Sequence, residues 1–236
     1  MYSELKAIES FLKIQDAIQS GLQTIAENGM YDESFDYDFS EAMHKLHKEY
    51  YVGVHYGVSK GVLVPEQEDF VFKMPFDEDD CGEMLTYNYC DVEVKNYEAA
   101  VHEGIEMYFA TIKYFDDFKT DDGVRLPVYI QERVKPFSDI IDVCSMRASN
   151  KQYSHYESKA KSYTGTERLP LKWINDFIEY YGEDKFDKLG RFLDAHDIND
   201  LHSGNVGYDE NDNPVIFDFS GYHDFSADRE ARAEEY

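Results

Sequence analysis

Late in the chain, Asn199-Asp200-Leu201-His202-Ser203-Gly204-Asn205 is followed by Phe217-Asp218-Phe219-Ser220. A carboxylate, an amide on the same loop and a second carboxylate beyond a turn-rich stretch form the set that phosphoryl transfer from a nucleoside triphosphate needs. One carboxylate accepts or orients the nucleophile's proton, while an amide oxygen and another carboxylate hold the magnesium that neutralises phosphate charge. Between them, Val206-Gly207-Tyr208 and Val215-Ile216-Phe217 are short β-type runs. The stretch Asp209-Glu210-Asn211-Asp212-Asn213-Pro214 joins them as a hairpin signal, which would fold the three groups onto one side of a cleft. Taken singly, an Asp-x-x-x-x-Asn spacing is common turn composition and Asp218 could cap a strand end. Their joint order, with a lysine on a strand upstream, favours a nucleotide site.

Those loops need a scaffold, and the texture of the chain predicts one. Residues 50–74 hold three β-rich runs, Tyr50-Tyr51-Val52-Gly53-Val54, Val62-Leu63-Val64-Pro65 and Phe70-Val71-Phe72-Lys73-Met74, separated by Gly or acidic turns. Residues 89–106 have the period of a helix, with Val92, Tyr97, Val101 and Ile105 facing inward. Two further strands are predicted at 109–114 and 128–134, split by a turn-rich segment at 116–123, so five strands and one helix fill this half. Beyond Pro136 the pattern turns helical, with helices at 171–181 and 184–195 and a polar loop at 149–167. Upstream, Leu5, Ile8, Leu12, Ile14, Ile18 and 22–25 predict an amphipathic helix broken near Asn28-Gly29. An acidic connector at 31–40 and a short helix at 40–50 come next. The acids at 77–80 read as a solvated loop and 228–235 as a solvated helix end. The chain therefore reads as α+β, divided into an N-terminal helical extension (1–49), a sheet-rich part (50–134) and a helical part (135–236).

Asp-Leu-His-x-Gly-Asn followed by Ile-Phe-Asp-Phe-Ser resembles the catalytic and magnesium loops of the protein-kinase-like superfamily, in the variant shared by aminoglycoside phosphotransferases and kinase-like proteins of bacteriophages. Phe70-Val71-Phe72-Lys73 resembles the third-strand segment whose lysine contacts nucleotide phosphates, and Val128 to Val134 resembles the fifth strand entering the hinge. The resemblance covers roughly residues 50–220. It implies a two-lobed fold, with a five-stranded antiparallel N-lobe sheet and one helix, and a small, mainly helical C-lobe. The N-terminal helices would be an addition.

It implies ATP and Mg2+ as cofactors, Asp200 as the base, and Asn205 and Asp218 as metal ligands. Lys73 with Glu93 would form the phosphate-positioning pair. Glu93 is preferred to the alternative Glu98 because Ile105 follows at the separation expected before the fourth strand. Gly57, Ser59 and Gly61 would present backbone N–H groups to phosphate, and Gln131, Glu132 and Val134 would meet adenine. His202 is expected to brace its loop rather than act as an acid or base, and Ser203-Gly204 to supply turn geometry.

Departures from the family pattern shape these expectations. The glycines Gly53, Gly57 and Gly61 are spaced by fours rather than as Gly-x-Gly-x-x-Gly. Ile198 stands where related loops carry His, and Ser220 where a Gly follows the metal Asp. Past Ser220 too few residues remain for an activation segment and peptide-binding subdomain, so the expected acceptor is not a conventional protein substrate.

A formal charge of −26 repels phosphate backbones and anionic lipids, which argues against direct nucleic-acid and membrane binding. It suits solubility, or an acidic decoy that occupies a basic, DNA-binding surface of another protein. The alternative function is accordingly a catalytically weak or inactive kinase-like protein that binds and inhibits a host protein. Cys81, Cys90 and Cys144 match neither a disulfide framework nor a zinc site, and the N-terminus lacks a signal-like apolar run. Both point to the cytoplasm, that of a host cell if the chain is phage-encoded.

Overall fold

The computed structural model describes residues 8, 52–56, 60–66, 68–75, 88–119, 125–141 and 143–221. The predicted N-terminal helices (Ile8 apart) and connector, Gly57, Ser59, the loop at 77–80 and the tail at 228–235 lie outside the described residues. The chain divides into two units, one comprising Met1–Val101 with Ala110–Arg133, the other His102–Phe109 with Val134–Tyr236.

The first unit is built on a five-stranded antiparallel sheet. Its strands are β1 (Val52–Tyr56), β2 (Lys60–Pro65), β3 (Phe70–Pro75), β4 (Ile112–Lys119) and β5 (Arg125–Glu132), in spatial order β1-β2-β3-β5-β4. Pairing of Leu63 with Phe72 and of Phe72 with Ile130 puts Leu63, Phe70, Phe72, Met74, Val128 and Ile130 on one face, all buried. Val71, Lys73 and Tyr129 share the opposite face and are buried too. Covering on both faces explains why β3 reads as a nearly continuous apolar run instead of an alternating one. The fourth strand begins later than expected and the fifth ends earlier. Phe109, predicted to open a strand, instead follows a 3-10 turn at Glu106–Tyr108 and bridges Ile216 inside the second unit.

Helix α1 (Tyr89–Glu103) ends at Gly104, whose φ of 65° suits the residue without a Cβ. Its buried stripe is Tyr89, Cys90, Glu93, Asn96 and Ala100, while Val101 is exposed and Val92 and Tyr97 are half-buried. The predicted stripe is thus rotated. Apolar periodicity cannot anticipate an inward-facing carboxylate, and here Glu93 is drawn in by two lysines of the sheet. The start of α1 is seated by Tyr129 of β5, whose hydroxyl accepts from Asn88 Nδ2 at 2.7 Å and donates to Asp91 Oδ1 at 3.3 Å. Burial, and then the Asp91 charge, raise the pKa of this tyrosine, so the hydroxyl remains a donor.

The second unit is mainly helical: α2 (Phe137–Ile140), α3 (Val143–Gln152), α4 (Glu157–Ala160), α5 (Leu171–Tyr181) and α6 (Glu183–Ala195). A small antiparallel sheet, β6 (Lys135–Pro136), β7 (Val206–Tyr208) and β8 (Pro214–Ile216), completes it. Its core is aromatic: Trp173, Phe177, Phe186, Phe192 and Phe219 are buried, with Leu189, Leu193, Ile198 and Ile216. Trp173 Nε1 donates to the Gly207 carbonyl at 3.1 Å and so ties α5 to the sheet. The span predicted as polar loop folds into helix and 3-10 turns, held by Thr166 Oγ1 on the Ala160 carbonyl and by Tyr163 lying against Gly190. Its polarity reflects an exposed outer surface, which composition alone cannot tell from a loop. Cys90 is a buried thiol and Cys144 an exposed one. No helix among the described residues is long and apolar enough to cross a membrane.

Candidate functional site

Lys73 stands on β3 opposite Val62 and Tyr129, on the sheet face that meets α1. Its Nζ donates to Glu93 Oε2 at 2.8 Å, with side chains 3% and 0% exposed. The structure therefore brings Lys73 and Glu93 together, while the alternative Glu98 is exposed. A second lysine, not anticipated from the sequence, completes this cluster: Lys60 Nζ donates to Glu93 Oε1 at 2.5 Å and is 6% exposed. Both oxygens of one buried carboxylate are thus engaged by ammonium groups. In the sequence Lys60 reads as a turn-end cation between Ser59 and Gly61, and no local pattern marks it as buried.

Gly61 lies inside β2, between Tyr56 of β1 and Met74 of β3. Gln131 is buried in β5 beside Val71 and Ile112. The backbone N–H of Glu132 donates to Thr111 O at 2.9 Å and that of Arg133 to Asp69 O at 2.9 Å. The Val134 N–H makes no hydrogen bond among the described residues.

In the second unit, Ile198 and Leu201 are buried and anchor the loop, which leaves Asp200 between them half-exposed. Asn205 organises the turn beyond it. Its Nδ2 donates to the Asp200 carbonyl at 2.6 Å, and its own carbonyl accepts from Phe217 N at 3.0 Å and Asp218 N at 3.3 Å. These bonds draw Asp200, Asn205 and Asp218 into one hydrogen-bonded turn. With its amide nitrogen committed, Asn205 keeps Oδ1 as an acceptor. The hairpin between β7 and β8 supports the turn through Asp209, whose Oδ1 accepts from Asn211 N and Asn213 N, both at 2.8 Å.

His202 braces the loop as expected, its Nδ1 accepting the Gly204 N–H at 3.0 Å. Gly221, three residues after Asp218, is held by backbone geometry. Gly221 has φ 76°, and a Cβ there would sit 2.4 Å from the Asp197 carbonyl. Arg168, also missed, places Nη1 2.7 Å from Asp200 Oδ1 on the surface, with side chains 58% and 38% exposed. It lies far from Asp200 in sequence, so nothing local could have signalled the pair.

Two hard oxygen donors, the Asn205 amide and the Asp218 carboxylate, suit magnesium, which keeps several waters and takes few protein ligands. Among the described residues no group of three or more His, Cys, Asp or Glu side chains could hold a metal ion. A groove of about 510 Å³ lies elsewhere in the second unit, lined by Ile140, Lys172, Asp176, Tyr180, Tyr208 and Pro214 among others, and includes none of the nominated residues.

No protein-family model and no curated protein matches the chain. Among solved structures it is similar to the "Medium resolution structure of the bifunctional kinase- methyltransferase WbdD", with a TM-score of 0.29 and 13% identity. That similarity covers 69% of this chain, which spans 30% of the other.

Proposed function

We propose that this chain is a two-lobed, kinase-like phosphotransferase that uses ATP and magnesium. The observation that carries the reading is the Asn205 turn, which holds a base candidate and two metal-ligand candidates by backbone and amide hydrogen bonds. The buried Lys73–Glu93 pair in the first unit supports it. In this reading Asp200 orients or accepts the acceptor's proton, Lys73 binds phosphate oxygens, and Glu93 holds Lys73 in place. Val134 N–H meets the adenine. Bound magnesium, held by Asn205 and Asp218, would supply charge neutralisation on the phosphates.

The test is thermal unfolding with ATP, with and without magnesium, for the wild type and Asp218→Ala. The expected outcome is a magnesium-dependent rise in melting temperature that the variant loses, because a ligand selective for the native state stabilises it. Asp200→Asn should keep that rise and lose transfer. Absence of any rise at millimolar ATP in folded protein would overturn the reading. It would favour the acidic partner-binding alternative, which the charge of −26 supports and which predicts steep weakening with salt.

A further inference from the structure

We propose that the groove between α5, the end of α2 and the β7–β8 hairpin docks a segment of a partner protein that carries basic and apolar side chains together. The groove lies wholly within the second unit, holds about 510 Å³ and contains none of the residues nominated for phosphoryl transfer. It therefore stands or falls apart from that chemistry.

Three elements supply its walls. On α5, Lys172, Asp176, Glu179 and Tyr180 recur at helical spacing and fall on one stripe of the helix. Ile140 ends α2, and Tyr208, Asp212 and Pro214 come from the hairpin. Among the described residues, Ile140 and Tyr180 are the most exposed of the large hydrophobic side chains, at 52% and 59%, and both line this groove. Exposed apolar groups that gather in one concavity mark a binding surface, whereas scattered ones do not.

The charge of the lining favours one kind of occupant. Three carboxylates, Asp176, Glu179 and Asp212, share it with one ammonium, Lys172. Asp176 is committed, accepting from Lys172 Nζ and from the Tyr208 hydroxyl. Asp212 holds the exposed Lys135, in a pair that solvent screens and that an incoming cation can replace. Glu179 is exposed and has neither hydrogen bond nor ion pair among the described residues. Next to it, the Tyr180 ring is a surface to which a guanidinium or ammonium is attracted. The same charge repels phosphate backbones. A small organic cation would be enclosed over most of its surface in a site of its own. Here Ile140, Glu179, Tyr180 and Asp212 all stay exposed, which suits a peptide segment lying across the groove.

The experiment is fluorescence anisotropy of a labelled hexapeptide alternating arginine and leucine, titrated with the full chain. An arginine-serine counterpart replaces the leucines, and arginine amide serves as a competitor. The variants are Glu179→Lys, Ile140→Ser and Glu157→Lys, the last an exposed acid outside the groove whose reversal changes the net charge equally. All three positions are exposed, and the melting temperature of each variant confirms that it folds. Glu179→Lys and Ile140→Ser should each weaken the arginine-leucine peptide about fivefold or more, and Glu157→Lys less than about twofold. The serine peptide should bind the wild type about fivefold more weakly than the leucine peptide. Equal losses in Glu179→Lys and Glu157→Lys would mean attraction to the overall charge of −26 and would overturn the proposal. So would wild-type affinity in Ile140→Ser, or no binding of the leucine peptide at millimolar concentration. Displacement by arginine amide as effective as by unlabelled peptide would reassign the groove to small cations and overturn it too. Thermal unfolding with magnesium and ATP reads the other site, so the two proposals fail separately.

Discussion

The two units hold their charged residues by opposite means. In the first, Lys60, Lys73 and Glu93 are buried in one ionic cluster. In the second, Asp200 and Arg168 meet at the surface, and the neighbouring Asn205 and Asp218 are organised by backbone hydrogen bonds. A buried cluster fixes position strongly and punishes loss of any member, because the remaining charges stay out of water. An exposed pair contributes little to stability, so residues there can change with function while the scaffold barely responds. The first unit thus links its charged residues to its folding, and the second largely separates them.

The largest effect expected from this contrast is at Glu93. Glu93→Ala removes the carboxylate shared by two buried ammoniums and should destabilise the protein by about 3–5 kcal/mol, read as a shift in the urea midpoint. A change under about 1 kcal/mol would mean that the cluster is effectively solvated and would erase the distinction between the units.

An intermediate effect is expected at Gly221, where backbone geometry does the positioning. Gly221→Ala must hold a left-handed φ and place a Cβ against the Asp197 carbonyl, at a cost of about 1–3 kcal/mol. Hydrogen exchange at the Phe217 and Asp218 amides should rise with it, since the strain bears on the segment they anchor. Unaltered exchange there would separate Gly221 from the Asn205 turn.

The smallest effect is expected at Arg168. Arg168→Ala should change stability by less than about 1 kcal/mol, and the difference from wild type should shrink as salt rises. A loss comparable to that of Glu93→Ala would place the second unit under the same rule as the first.

Much of the local architecture was legible in the sequence. The β-rich runs at 52–75, the hairpin around Asp209 and the two helices near 171 and 184 follow from period and turn chemistry, and the structure has them within a few residues. The spacing that links Asp200, Asn205 and Asp218 was also readable, since a loop and a hairpin can be recognised from adjacent residues. The polar run at 149–167 was misread as loop because exposed short helices and loops share a composition.

What the amino-acid order determined by itself is therefore what local chemistry encodes: strand and helix periods, the Asp209 turn, and the loop that carries the nominated oxygen donors. Only the tertiary structure decided that Lys60 joins Lys73 on Glu93 and that Arg168 meets Asp200. It also decided that Phe109 belongs with Ile216 instead of with the fourth strand. In each case the deciding partner lies far along the chain. Whether a charge is buried depends on the opposite charges that folding brings to it, and no window of neighbouring residues contains that information.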